Sequence, residues 1–412
     1  MHAAFFRTAC LAALVVTLPR PAAAQAPAAA SPQAPAPAAE PPADFIAEAR
    51  ALMRVVTCQG QLPLPAAIDP KIHAAFCKRQ EKSIAAYRDG YLPTAGKFLA
   101  GLRPEGLPTT VVYPFGGGDL LSALTTYPDA TDVTTLSLEH AGDPRRLGAI
   151  KSKGSLADSL ELIRYTSWGL LNANDSKTEN LMKGQRGEIP GQLAFFLTAL
   201  AVHGYEPLSL RYFRIEPDGT LHYYTPAEIA AVEHDDAKLL RGKWTAPDFS
   251  RAFSNSELTF VKKGEDASRA RVHRHIAWDL SDGAVKKTGI IQWLEQKGTV
   301  SAMTKAASYL LWREDFSRVR GYLLEHMAIM FSDSTGIPPR IARKAGFTQE
   351  TYGTFEVSFL EASPSINADF VELWTKQPRR RLPIRYGYID GATPEGHVHL
   401  MVTRRAAPAP TK

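Results

Sequence analysis

The stretch 111–140, VVYPFGGGDLLSALTTYPDATDVTTLSLEH, sets Gly116, Gly117, Gly118 and Asp119 directly after an apolar run and Glu139 at the end of a second one. Glycines after a strand let backbone amides approach a ligand. An acid some way further on can accept hydrogen bonds from ribose-like hydroxyls. The spacing is G-G-G-D, however, and not G-x-G-x-x-G. Asp119 falls where a helix N-cap belongs, so its carboxylate would occupy the amide donors that a phosphate would use. The expectation is a glycine turn with an Asp cap, in which Glu139 takes hydroxyl hydrogen bonds from a small polar ligand. No particular cofactor follows.

A second polar loop, FSDSTGIPPR at 331–340, combines Asp333, Ser334, Thr335 and Gly336 with two prolines. It reads either as a rigid pocket lining or as a helix stop followed by an Asx-type turn. His273 and His275 alternate on one predicted strand and His397 and His399 on another, so each pair shares a sheet face. Were the strands neighbours, four imidazoles could hold zinc or copper. No H-E-x-x-H pattern accompanies them, and ordinary strand histidines with no metal are expected. SDG at 281–283 and KTG at 287–289 lie too close together for the penicillin-binding motifs and lack a Ser-x-x-Lys, so they are read as chance. No G-x-S-x-G elbow occurs. Trp278, Trp293, Tyr309, Trp312 and Trp374 fall on apolar stripes and are assigned mostly to the core.

These residues need a frame. Helical periodicity covers 44–57 and 70–101, ahead of any strand, and predicts a helical brace. Strands are predicted at 109–114 and 132–138 around the helical DLLSALTTY, a unit whose short crossover favours parallel pairing. Helices follow from Ser155, from a Ser-x-x-Glu box at Ser176, and from Pro190 to Gly204. Two strands flank the turn Pro217-Asp218-Gly219, after which Thr225, Pro226 and Glu228 open a helix. Strands recur at 256–262 and 269–279, and three helix patterns are read between Asp282 and Phe331. The end reads as a strand at 352–360, a helix at 367–376, and a hairpin of 383–389 with 397–403. Strands interleaved with helices predict an α/β layered fold with a mixed sheet.

The ends place the chain. Residues 1–24 carry a single early arginine, an apolar run from Ala9 to Leu18 and Ala22-x-Ala24, the pattern of a secretory signal peptide. The run is too short to span a bilayer, and no later stretch is long enough. A periplasmic or secreted protein without a transmembrane segment in its mature chain is expected. Residues 25–43 are a Pro/Ala-rich disordered tether, 44–405 one large α/β domain (brace 44–102, core 109–405), and 406–412 a disordered tail. Removing the signal leaves Cys58 and Cys77, expected to form a disulfide in an oxidising compartment; no C-x-x-C or Cys/His zinc spacing occurs. The formal charge of +6 falls to +4 in the mature chain, and the basic residues are dispersed except at Arg379–Arg381. No nucleic-acid footprint results.

The motifs YPFGGGDLLSALTTYPDATDVTTLSLE, AASYLLWREDFSRVRGYLLEHM and DSTGIPPR together resemble an uncharacterised family of exported bacterial proteins. The resemblance covers most of the mature chain and implies one integrated unit, with no reaction attached. The strand, glycine turn, helix and strand unit resembles the first half of a nucleotide-binding Rossmann-like fold, and the terminal hairpin makes it more similar to the methyltransferase variant. The expected function is binding of a small polar ligand or cell-envelope component. An envelope-polymer hydrolase, a methyltransferase-like transferase and a scaffold without a small-molecule site are the alternatives.

Overall fold

The structure is a computed structural model, and residues 40–60, 62–173, 189, 191–236, 250–355, 367–386 and 398–406 are described. The signal peptide, most of the tether, the Ser176 box, Pro190, residues 356–360, 387–389 and His397, and the last six residues lie outside them. Pro41–Lys412 forms one compact unit. No helix among the described residues is long and apolar enough to cross a membrane.

The brace comes first. Helix α1 (Ile46–Thr57) buries Ala49, Leu52, Val55 and Val56. Asp44 fixes its start by accepting from Ile46 N and from Leu210 N, 166 residues away in sequence. Helix α2 (Pro70–Ala85) is capped by Asp69, which accepts from Lys71 N and Ile72 N, and proline stands in its first turn. A π-helical stretch, Ala86–Tyr91, joins it to α3 (Leu92–Ala100). The expected Cys58–Cys77 disulfide is formed, tying the end of α1 to α2.

Among the described residues, ten strands make one mixed sheet. Strand β1 (Thr110–Pro114), helix α4 (Leu120–Thr126) and strand β2 (Asp132–Ser137) form the predicted parallel unit, with Val111 beside Val133. After α5 (Lys153–Trp168), helix α6 (Gly191–His203) is buried all round except at His203, because its sequence is apolar on every face. Strands β3 (Tyr205–Ile215) and β4 (Leu221–Tyr223) are the predicted hairpin, with Gly219 at φ 87° in its turn. Helix α7 (Pro226–Asp236) opens with the reciprocal box in which Thr225 N donates to Glu228 and Glu228 N donates to Thr225. Strand β5 (Asn255–Lys262) pairs antiparallel with β3 and with β6 (Arg271–Ala277), and β6 runs parallel to β2.

The stretch between Asp282 and Phe331 departs from expectation. Helices α8 (Asp282–Val285), α9 (Ile290–Glu295) and α10 (Ser317–His326) are present, but Val300–Thr304 is strand β7 and Met327–Ser332 is strand β8. Both strands are short apolar runs nearly buried on two faces, for which helix and strand periodicity are indistinguishable. Their Ala and Met content points towards helix. Helix α11 (Pro339–Lys344), strand β9 (Phe347–Gly353), helix α12 (Asn367–Lys376) and strand β10 (His399–Arg405) complete the chain. Strand β10 lies between β8 and β9, antiparallel to both. Of the expected hairpin, 387–389 and His397 lie outside the described residues; His399 N donates to Tyr386 O at 3.3 Å, while 383–386 are not a strand of the sheet.

The sheet order is β4-β3-β5-β6-β2-β1-β7-β8-β10-β9. Alternate residues serve two cores: Val111, Tyr113, Val133 and Phe331 face the brace and α6, while Val112, Leu136, Ala302 and Met330 face α8 to α11. A bridge over a 19-residue separation stabilises mainly by restricting the unfolded chain, by about 3 kcal/mol. Urea denaturation of the Cys58→Ser/Cys77→Ser protein should show a loss of that size.

Candidate functional site

Strand order reverses between β1 and β7: the chain steps from β1 to β2 and β6 on one side and from β7 to β8 on the other. In open α/β sheets, ligands bind outside the carboxyl ends of the strands at such a point. The loops following β1, β2, β7 and β8 lie at this end of the sheet, and they hold Gly116 to Gly118, Asp119, Glu139, Asp333 and Gly336.

The β1 loop is filled from within. Gly117 has φ 48° and Phe115 φ 61°, so the chain turns back sharply and Asp119 N donates to Gly116 O. A Cβ on Gly116 would lie 2.7 Å from the Tyr113 ring, and one on Gly118 2.4 Å from Gln192 Oε1 of α6. These glycines thus admit the protein's own side chains. Asp119 is the predicted N-cap: Oδ1 accepts from Ser122 N at 3.0 Å. Its Oδ2 accepts from Tyr113 OH at 3.1 Å and pairs with Lys305 Nζ at 2.7 Å. Lys305, which follows β7, also donates to Ser122 Oγ at 2.7 Å. Asp119 and Lys305 are both fully buried.

The β8 loop clasps the β7 loop. Asp333 accepts from Ala306 N at 2.7 Å and from Thr335 N at 2.8 Å, while Thr335 Oγ1 accepts from Ala307 N at 3.0 Å. Ser334 Oγ is bonded to Tyr309 OH at 2.9 Å. These bonds hold Ala306, Ser308 and Tyr309 at φ 53°, 49° and 57°. Such conformations cost non-glycine residues on the order of 1 kcal/mol each and gather at functional loops. Thr335 N on Asp333 Oδ1 makes the expected Asx-type turn, but it follows strand β8 and not the end of a helix.

Glu139 differs from all of these. It lies in the loop after β2, fully buried, and among the described residues neither carboxyl oxygen has a hydrogen-bond partner. Its backbone is held firmly: Glu139 N donates to Ser137 Oγ, and Glu139 O accepts from His275 Nε2 at 2.6 Å. Because a carbonyl only accepts, His275 carries its proton on Nε2 and Nδ1 takes the Thr135 hydroxyl proton at 2.9 Å. Thr135 Oγ1 then accepts from His273 Nε2, also at 2.9 Å. Glu139 and Asp333 do not share a tight site. Strands β2 and β8 are three strand spacings apart, about 14 Å at ~4.8 Å each.

The four-histidine arrangement is not formed. Strands β6 and β10 are separated by β2, β1, β7 and β8, so His399 is remote from His273 and His275. His399 instead packs on the Phe355 and Trp374 rings. In the SDG stretch, Asp282 accepts from Ser317 N and Arg318 N and so holds the start of α10; Ser281 makes no side-chain cap. Trp293 is core as expected, but Trp278 is 44% exposed, beside Leu138 at 52%. Trp278 N donates to Ser137 O, placing the two apolar side chains at the ends of neighbouring strands next to Glu139. Sequence reasoning missed Lys305, whose only signal is a lone cation closing the apolar VSAMT run. It also missed Thr135 and Gln192.

Comparison with family models, curated proteins and solved structures returned no match.

Two measurements follow from this geometry. Lys305→Met strands a buried carboxylate and should cost about 3–5 kcal/mol in urea denaturation, whereas adding Asp119→Asn, which keeps the cap acceptor, should recover most of it. Burial pushes His275 down to about 4 and His273 well below its ordinary value of 6.5. Their folded-state pKa values are depressed, so their contribution is complete above pH 6.5. It is lost as pH falls towards 4, while the unfolded chain takes up protons. Stability should therefore decline between pH 6.5 and 5 by up to about 2.7 kcal/mol per pH unit from this pair, and His275→Gln should halve that share.

Proposed function

We propose that the protein binds a small, neutral, hydroxyl-bearing ligand at the carboxyl ends of β2, β1 and β6, with Glu139 accepting hydrogen bonds from its hydroxyls. The observation that carries this reading is the fully buried Glu139 carboxyl, which has no hydrogen-bond partner among the described residues. An unsatisfied buried polar group costs about 1–3 kcal/mol. Folding alone gives no return for placing it there, while a ligand hydroxyl would supply the missing donor. Leu138 and Trp278 offer an apolar lip to the non-polar face of such a ligand. An anionic group is disfavoured at the first turn, because the Asp119 carboxylate already caps α4 there by accepting from Ser122 N. In an exported protein, a sugar or other envelope component has that chemistry.

A second reading, a transferase of methyltransferase type, draws on one observation. The parallel strands β6-β2-β1-β7-β8 continue into an antiparallel β10 set inside β9, in keeping with the resemblance to that variant. It would use the same Glu139 towards a ribose.

Thermal-shift titration with glucose, N-acetylglucosamine, adenosine and S-adenosylmethionine separates the two, since a ligand selective for the native state raises Tm. A sugar or adenosine should raise Tm in the wild type and leave Glu139→Gln unmoved. Without ligand, Glu139→Gln should match or exceed the wild type in stability, as expected of a group kept for binding. A destabilised Glu139→Gln protein, or a panel without any shift, would sink the proposal.

A further inference from the structure

The brace carries a second cluster of chemistry, far from Glu139 in the chain. His73 and Cys77 stand four residues apart on α2, on one helix face, and Cys58 reaches them from the end of α1. One ligand atom from each of the three lies within 4.8 Å of the other two. We propose that, when the disulfide is reduced, the thiolates of Cys58 and Cys77 and the Nδ1 of His73 form a zinc site.

Three features support this. The first is the ring's orientation. His73 Nε2 lies 2.9 Å from Val55 O, and a carbonyl only accepts, so the proton is on Nε2 and the Nδ1 lone pair is available. A metal-ligating histidine almost always donates its other ring N–H in this way. The second is distance. Sulfur and nitrogen on one tetrahedral zinc, at ~2.3 Å and ~2.05 Å from the ion, lie about 3.6 Å apart. Cys77 Sγ stands 3.6 Å from His73 Nδ1 and 3.4 Å from Nε2, beside the ring at ligand distance. To share an ion the two sulfurs must part to about 3.8 Å, with Cys77 Sγ moving to the Nδ1 side of the ring. The third is backbone conformation. Cys58 closes α1 at φ 63°, donating its N–H to Arg54 O, in a position that glycine normally holds. That turn carries the Cys58 sulfur to Cys77, to which it is bonded in the oxidised chain.

Both cysteines are half-buried and His73 is buried, so the sulfurs are within reach of a reductant while the imidazole stays in place. Two cysteines and one histidine leave a fourth zinc position for water. The steps balance with a dithiol as reductant. The protein disulfide gains two electrons and two protons, the dithiol is oxidised to its own disulfide, and zinc then displaces the two thiol protons. The linear pattern hides the site because Cys58 comes from a different helix than His73 and Cys77.

The test uses the full mature chain, reduced with a phosphine, with zinc titrated against a chromophoric indicator. One zinc per chain is expected in the reduced wild type, at least 100-fold tighter than in Cys58→Ser/Cys77→Ser. His73→Gln should weaken binding 10- to 100-fold. The oxidised wild type should bind none at this place. Cobalt in place of zinc should give a thiolate-to-metal charge-transfer band that the double serine variant lacks. If reduction loosens the fold, zinc should restore urea resistance in the wild type alone. Equal zinc affinity in the reduced wild type and the double serine variant would overturn the proposal. So would an unchanged affinity in His73→Gln, or a reduced fold that zinc fails to restore.

Discussion

The buried ion pair between Asp119 and Lys305 governs how the centre of this sheet is closed. The carboxylate belongs to the turn after β1 and the ammonium to the residue after β7, so the pair spans the place where strand order reverses. In a fully buried setting neither charge can be left alone, and each fixes the other's backbone. Tyr113 and Ser122 complete the remaining bonds, which makes the strand, the cap and the first turn of α4 one polar unit. The crevice that related architectures keep open for phosphate therefore has a neutral, internally satisfied floor. The buried carboxyl without a partner among the described residues lies to one side of it, after β2.

The two buried acids flanking this floor are in unequal states. Asp333 spends its lone pairs on Ala306 N and Thr335 and thereby shapes a loop with three residues at positive φ. Glu139 spends none, although its backbone is anchored by Ser137 and by the Thr135, His275 and His273 chain. One acid is structural mortar; the other is held in place with its chemistry unused.

Much of the frame could be read from the sequence because its signals are local. Caps, prolines and turns mark α2, the β3–β4 hairpin and the start of α7, and the parallel β1–α4–β2 unit follows from a short crossover between two apolar runs. Strands β7 and β8 escaped because short runs of Ala, Met and Val buried on both faces have no period to display. The Asp119 cap was legible, since a cap acts within four residues. Its pairing with Lys305 was not, because nothing local reports a contact across 186 positions. The histidine pairs show the converse: alternation correctly put His273 and His275 on one face, but strand order, which alternation cannot encode, set His399 at the other side of the sheet.

The place of β10 has a consequence for how the sheet is held. This strand follows the other nine in the chain, yet it is an interior strand, hydrogen-bonded on both sides, and β9 reaches the sheet only through it. Until β10 docks, β8 presents an open edge and β9 has nowhere to pair. One strand thus acts as the keystone of that side of the sheet, and its loss would release β9 together with it.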